Sequence, residues 1–268
     1  MVRSPIINLE HVDVTRLGHA ILRDVNWSVL PNEHWVILGE NGCGKSSLVN
    51  AILGYLWPTS GRIEVLGEVL GETDMNLLRK RVALVTESIV YRFNKNLTGL
   101  EALVTGLRGH LNMWSPVTDE EAASVVKLAE QLDLTSMLGK TVDVLSSGER
   151  QRLFIALSLS SNPEIIILDE PCTGLDMRGR EEVLRMLRSL CANGLQGESS
   201  RSIPIIMITH HVEEIPQGVN RCLLMKQGRI EHQGVIEQVL TEEHLEQMFR
   251  CRFHLVNDNG RWYAQSKE

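Results

Sequence analysis

The amino-acid sequence predicts an α/β fold with a mostly parallel sheet, an N-terminal antiparallel β layer and an inserted helical subdomain. Three observations carry that prediction. A glycine-rich turn, Gly39-Glu40-Asn41-Gly42-Cys43-Gly44-Lys45-Ser46-Ser47, stands between a strand-like run and a helix-like run. The second half of the chain alternates apolar strand patterns with helical ones, and residues from about 94 to 144 carry helical periodicity alone. Since the turn fills every fixed position of the phosphate-cradling pattern G-x-x-x-x-G-K-[ST], a P-loop core with a nucleotide site is expected.

In chain order, Ile6 to Val14 and Ile21 to Leu30 alternate around a turn at Gly18, which gives the antiparallel layer. His34 to Leu38 is an apolar strand leading into the turn, and Ser46 to Leu53 opens the helix after it. Next come a strand at 62–66, a short helix near 74–79 and the strand Val82-Ala83-Leu84-Val85. Asp119 to Leu132 is the clearest helical stretch, with Thr118 or Asp119 as its cap. A helix over 148–161 precedes the buried strand Ile165 to Glu170, followed by a helix over 178–192 and strands at 205–209 and 222–225. The Gly- and Ser-rich stretch Asn193 to Ser202 is read as a mobile loop. The tail ends in a hairpin whose turn closes on Asn259-Gly260.

Bulk properties narrow the function classes. With 268 residues, 43% hydrophobic and 23% charged, the chain can bury its own core. A formal net charge of −7 disfavours a general nucleic-acid or anionic-membrane binder. The five cysteines form no C-x-x-C pair, which suits a reducing, cytoplasmic setting, and no apolar run is long enough to span a membrane.

The chemistry lies in two places. In the turn, glycines let backbone N–H groups face phosphate oxygens, Lys45 neutralises charge, and the Ser46 hydroxyl is a magnesium ligand type. Asp169-Glu170 puts two carboxylates at the end of a buried strand, where ligands of α/β sheets sit. One holds magnesium through water and the other activates the attacking water.

The phosphate loop, Leu145-Ser146-Ser147-Gly148-Glu149, Ile165 to Pro171, Gly174-Leu175-Asp176 and Thr209-His210-His211, in that order, resemble the ATP-binding cassette (ABC) ATPases. The resemblance covers nearly the whole chain except its C-terminal tail. It implies an ATPase domain over residues 6–240, a helical subdomain at about 94–160 within it, and a helix-and-hairpin tail over 241–268. It also implies ATP and Mg2+ at a site formed by residues 39–47. Asp169 would support magnesium, Glu170 would be the general base, and His210 would contact the γ-phosphate. Ser146, Ser147, Gly148 and Glu149 look like the family signature, presented to the nucleotide of a second copy in a head-to-tail homodimer with two composite sites. Asp176 resembles the aspartate at that dimer contact.

Three departures stand out. Ser147 and Glu149 replace a glycine and a glutamine of the usual signature, so Glu149 brings negative charge towards the partner's nucleotide. Glu87 falls where the family has a magnesium-ligating glutamine. Arg16 falls where many cassettes stack an aromatic on adenine; it is either a stacking guanidinium or an exposed strand-end arginine. Asn26-Trp27, Glu33-His34-Trp35 and the run from Thr209 to Pro216 resemble the molybdate-transport or photorepair type of cassette. The resemblance implies a subunit of a multi-chain transporter, held at the inner face of the membrane by an integral membrane permease, without direct nucleic-acid binding. The alternative is a soluble cassette acting in DNA repair, translation or regulation. Cys43 makes the loop oxidation-sensitive or is a bystander thiol, and His211 with Glu213 and Glu214 is read as a solvated turn rather than a metal site.

Overall fold

Alternation in the first thirty residues becomes an antiparallel layer. In the computed structural model, which describes residues 4–86, 93–110, 112–195 and 202–267, β1 (Ile7–Arg16) pairs with β2 (His19–Val29) on one side and β4 (Ser60–Val65) on the other. The two-residue β5 (Glu68–Val69) completes the order β2-β1-β4-β5. Ile7, Leu9, Val12 and Val14 are buried, although Leu9 and Val12 stand three residues apart. A register shift between them restores the inward face, with His11 at φ 50 inside the bulge.

The described chain divides into two compact units, Met1–Arg79 with Pro204–Glu268, and Lys80–Ile203. In the first unit β3 (Trp35–Leu38) lies between β8 (Ile205–Thr209) and β9 (Arg221–Lys226), parallel to both, and β10 (Arg229–Val235) adds antiparallel to β9. Every residue of β3 and β8 is buried, as expected of parallel strands covered on both faces. Helix α1 (Lys45–Ile52) follows β3 through the glycine-rich turn. Strand β10 escapes the sequence patterns because its residues are exposed or half-buried and carry no apolar run. The tail of this unit contains the short helices α7 (Ile236–Val239) and α8 (Glu242–Phe249). The hairpin of β11 (Phe253–Asp258) and β12 (Arg261–Ser266) follows, with Asn259-Gly260 at its turn as expected.

Helix α2 (Met75–Arg81) leads into β6 (Val82–Val85), which pairs parallel with β7 (Ile165–Asp169) in the second unit. Around that pair the unit is helical: α3 (Gly99–Leu107), α4 (Asp119–Gln131), α5 (Ser147–Ser160) and α6 (Met177–Asn193). Local chemistry starts each one. Thr98, Thr118 and Ser146 form capping boxes with Glu101, Glu121 and Glu149, and Asp176 caps α6. Glu121 also accepts from Nε and Nη2 of Arg108, each at 2.7 Å, and that guanidinium holds its carboxyl down to about 2. Among the described residues no helix is long and apolar enough to cross a membrane. Most of the expected mobile loop, residues 196–201, lies outside the described residues.

Candidate functional site

The first unit brings the phosphate loop and His210 to one level. Leu38 of β3 is opposite Thr209 of β8, so Gly39 and His210 leave adjacent parallel strands at the same height, at their carboxyl ends. Lys45 is only 5% exposed, and its Nζ donates to the carbonyls of Gly39 at 2.8 Å and Glu40 at 3.0 Å. The ammonium thus curls the loop around itself. Gly44 turns the chain into α1 at φ 113, a conformation that L side chains rarely adopt. As the cap of α1 it offers no side chain, so the first-turn N–H groups are left to an external acceptor. Glu40, Asn41, Gly42 and Ser46 are exposed, and Ser47 is half-buried. Burial pushes the Cys43 thiol up, against the opposing pull of Lys45. Arg16 is exposed at the end of β1, opposite His19.

His210 is half-buried, its ring 4.0 Å from that of His211. The following turn differs from the solvated one expected. Glu214 is only 5% exposed, because the buried Thr209 hydroxyl donates to it at 2.5 Å. Sequence patterns miss this partnership, since a glutamate after two histidines and a glutamate reads as polar surface. Among the described residues no group of three histidine, cysteine or acidic side chains is placed to hold a metal ion.

In the second unit Val85, the last residue of β6, is opposite Leu168, so β7 runs one residue further, to Asp169. Glu87 lies outside the described residues. Asp169 closes β7 half-buried, and Glu170 turns off the strand at φ 51, a costly conformation for a residue with a side chain. That kink is closed by Thr173, whose N–H bonds the Glu170 carbonyl and whose Oγ1 donates to its Oε2, each at 3.2 Å.

The start of α5 holds the four signature positions. Ser146 and Ser147 are exposed, while Gly148 is buried where a Cβ would lie 2.6 Å from the Cα of Gly179 in α6. Gly148 is thus needed where the two helices cross. The Glu149 charge does not stand free. Its Oε2 accepts the Ser146 N–H at 2.9 Å and its Oε1 pairs with Lys140 at 3.3 Å, and these bonds hold its carboxyl below the usual range. Asp176 is exposed and accepts the Gly179 N–H at 2.7 Å.

These donors suit a particular ligand chemistry. A buried cation with an uncapped helix start fits a polyphosphate. The Ser46 hydroxyl and Asp169 carboxylate are oxygen donors of the kind a hard divalent cation takes.

A model of the ABC transporter family matches residues 22–173. An uncharacterized ABC transporter ATP-binding protein of Lactococcus lactis, YmeB, is 37% identical over 245 residues, covering 91% of this chain and 92% of its own. Its Bacillus subtilis counterpart YlmA is 34% identical over 264 residues and 98% of each chain. Among solved structures, CbiO1 of Clostridium perfringens, part of the ABC transporter complex CbiONQ, superposes with a TM-score of 0.77 at 27% identity, over 91% of this chain and 94% of its own. With the phosphate loop and the Asp169-Glu170 strand end inside the matched segment, the chain belongs to the ATP-binding proteins of the ABC transporter family.

Proposed function

We propose that this ATPase is the energy-supplying subunit of a multi-chain transporter, working as a head-to-tail homodimer with two composite sites. The observation that carries the reading is the level exit of Gly39 and His210 from β3 and β8, beside a lysine folded into its own loop. Lys45 and the loop N–H groups would hold the β- and γ-phosphates of ATP. Ser46 and Asp169, with Glu87, would hold Mg2+, which supplies neutralisation of phosphate charge when bound. Glu170 takes the proton of the attacking water, and His210 bonds the γ-phosphate. The start of α5, with Ser146 and Ser147 exposed, faces the nucleotide of the second copy, with Glu149 turned back on its own helix cap. Asp176 borders that contact, and Arg16 offers its guanidinium plane to adenine.

The permease partner is proposed from the helices, none of which can span a bilayer among the described residues, and from the transporter complex to which the similar CbiO1 belongs. It would hold the chain at the inner face of the membrane. A soluble, non-transport role is not favoured, since the relatives are named as transporter proteins. As to subgroup, two of the three stretches behind the molybdate-transport or photorepair resemblance meet in the fold. Trp27 and Trp35 meet edge to face at 5.4 Å, and Glu33 accepts from Trp35 Nε1 at 3.0 Å while pairing with Arg221 at 2.8 Å.

The test is the dependence of ATP hydrolysis on chain concentration, with Glu170→Gln beside it. The expected result is turnover rising faster than linearly with concentration. The variant should lose about 100-fold or more in kcat and form an ATP-dependent dimer. Strictly linear turnover, or a fully active variant, would refute the reading.

A further inference from the structure

We propose that Glu214 is a positioning residue for His210, acting through the hydroxyl of Thr209. The inference rests on the reading of His210 as the group that bonds the γ-phosphate. Thr209 is fully buried at the end of β8, immediately before His210. Its hydroxyl proton goes to Glu214 Oε2 at 2.5 Å, and its oxygen accepts the His211 N–H at 3.1 Å. A hydroxyl has one proton to give. With that proton committed to Glu214, the oxygen's remaining lone pairs face the His211 amide, and the backbone on both sides of His210 is fixed.

The rest of the turn is held from both faces. Val212 and Ile215 are buried, at 7% and 1% exposure, and the Glu214 N–H bonds the His211 carbonyl at 3.3 Å. From the opposite side the C-terminal hairpin reaches the neighbouring carboxyl group, with the Ala264 N–H donating to Glu213 Oε1 at 3.2 Å. A little further on, Gln217 Nε2 donates to the Asn259 carbonyl at 2.7 Å. Consecutive glutamates therefore face opposite ways, one into the strand end and one onto the hairpin. Fixing these flanks limits the directions in which the imidazole of His210 can point. Without Glu214 the Thr209 hydroxyl is a buried donor with no acceptor, and its rotation to another partner releases the His211 amide.

The experiment measures steady-state ATP hydrolysis by the full chain for the wild type, Glu214→Ala, Glu214→Gln, Thr209→Val and His210→Ala. Glutamine keeps an oxygen to accept the Thr209 proton. Glu214→Ala should lower kcat about tenfold or more with KM for ATP little changed, as expected when a catalytic group is misaimed. Thr209→Val should match it, and the double variant should add nothing further. Glu214→Gln should stay within about threefold of the wild type, because the acceptor survives. Hydrogen exchange over residues 209–215 gives a readout independent of turnover, with faster exchange expected in Glu214→Ala and not in Glu214→Gln.

Wild-type kcat in Glu214→Ala, or equal losses in the alanine and glutamine variants, would overturn the proposal. So would unchanged exchange in Glu214→Ala. Loss of activity in His210→Ala alone would leave the reading of His210 standing while the positioning role fails. Full activity in His210→Ala would remove the role of His210, and the positioning role with it.

Discussion

The phosphate loop and the start of α5 are both glycine-containing helix starts, yet they solve the same electrostatic problem in opposite ways. In the loop the cap is Gly44, which offers no side chain, and the buried cation Lys45 is part of the structure. At α5 the cap is Ser146 with Glu149 in a closed box, and the nearest charge partner, Lys140, is an exposed lysine committed to Glu149. The loop thus carries its own cation for an anion. The α5 start is already satisfied by its own residues, and in the proposed dimer its remaining N–H groups would meet an anion only on closure.

Replacing Lys45 with alanine is the largest way to break that contrast. It removes the charge that distinguishes the loop, and the dissociation constant for ATP should rise on the order of a hundredfold, about 2.7 kcal/mol. Titration with a fluorescent ATP analogue checks it, and a nearly unchanged constant would mean that the loop does not bind phosphate. Gly148→Ala tests the other side. Its Cβ would collide with Gly179, so stability should fall by about 1–3 kcal/mol, read as a lower Tm, while ATP affinity of the separate chain holds.

The smallest effect is expected from Glu149→Gln. Glutamine still closes a capping box, and only the partly exposed pair with Lys140 is lost, so stability near neutral pH should change by less than about 0.5 kcal/mol. Its value is in acid. The folded-state pKa of Glu149 lies below the ordinary glutamate value, so its contribution is present above that value and is lost as pH falls through the folded pKa. Denaturation midpoints measured from about pH 5 to about pH 3 should therefore fall less steeply in Glu149→Gln than in the wild type. Equal slopes would mean that the carboxyl makes no such bonds in solution.

What was legible in the sequence is what is contiguous. Residues 39–47, the buried run ending in Asp169-Glu170, and Thr118 as a cap are local patterns whose chemistry is complete within a few residues. The partners of those residues were not legible. Gly179 stands opposite Gly148 from another helix, and Lys140 reaches Glu149 from the loop before it. The cost that Glu149 seemed to carry was judged from its charge alone, and only the fold shows that charge bound. Glu214 is the sharpest case: it stands in a run with His210, His211 and Glu213 that reads as a polar turn, while its partner in space is the buried end of β8. Strand β10 went unseen for a related reason, since an edge strand needs no apolar run.

The level ending of β3 with β8 has a consequence for how this chain tolerates change in length. The loop leaving β3 has no freedom of length, because its spacing from Gly39 to Lys45 is what closes it on the ammonium. A single deletion inside β8 is different in kind, because it would draw His210 back by about 3.3 Å and swap the face of every residue after the cut. Heritable length variation should therefore be absent from the stretches Trp35 to Lys45 and Ile205 to His210.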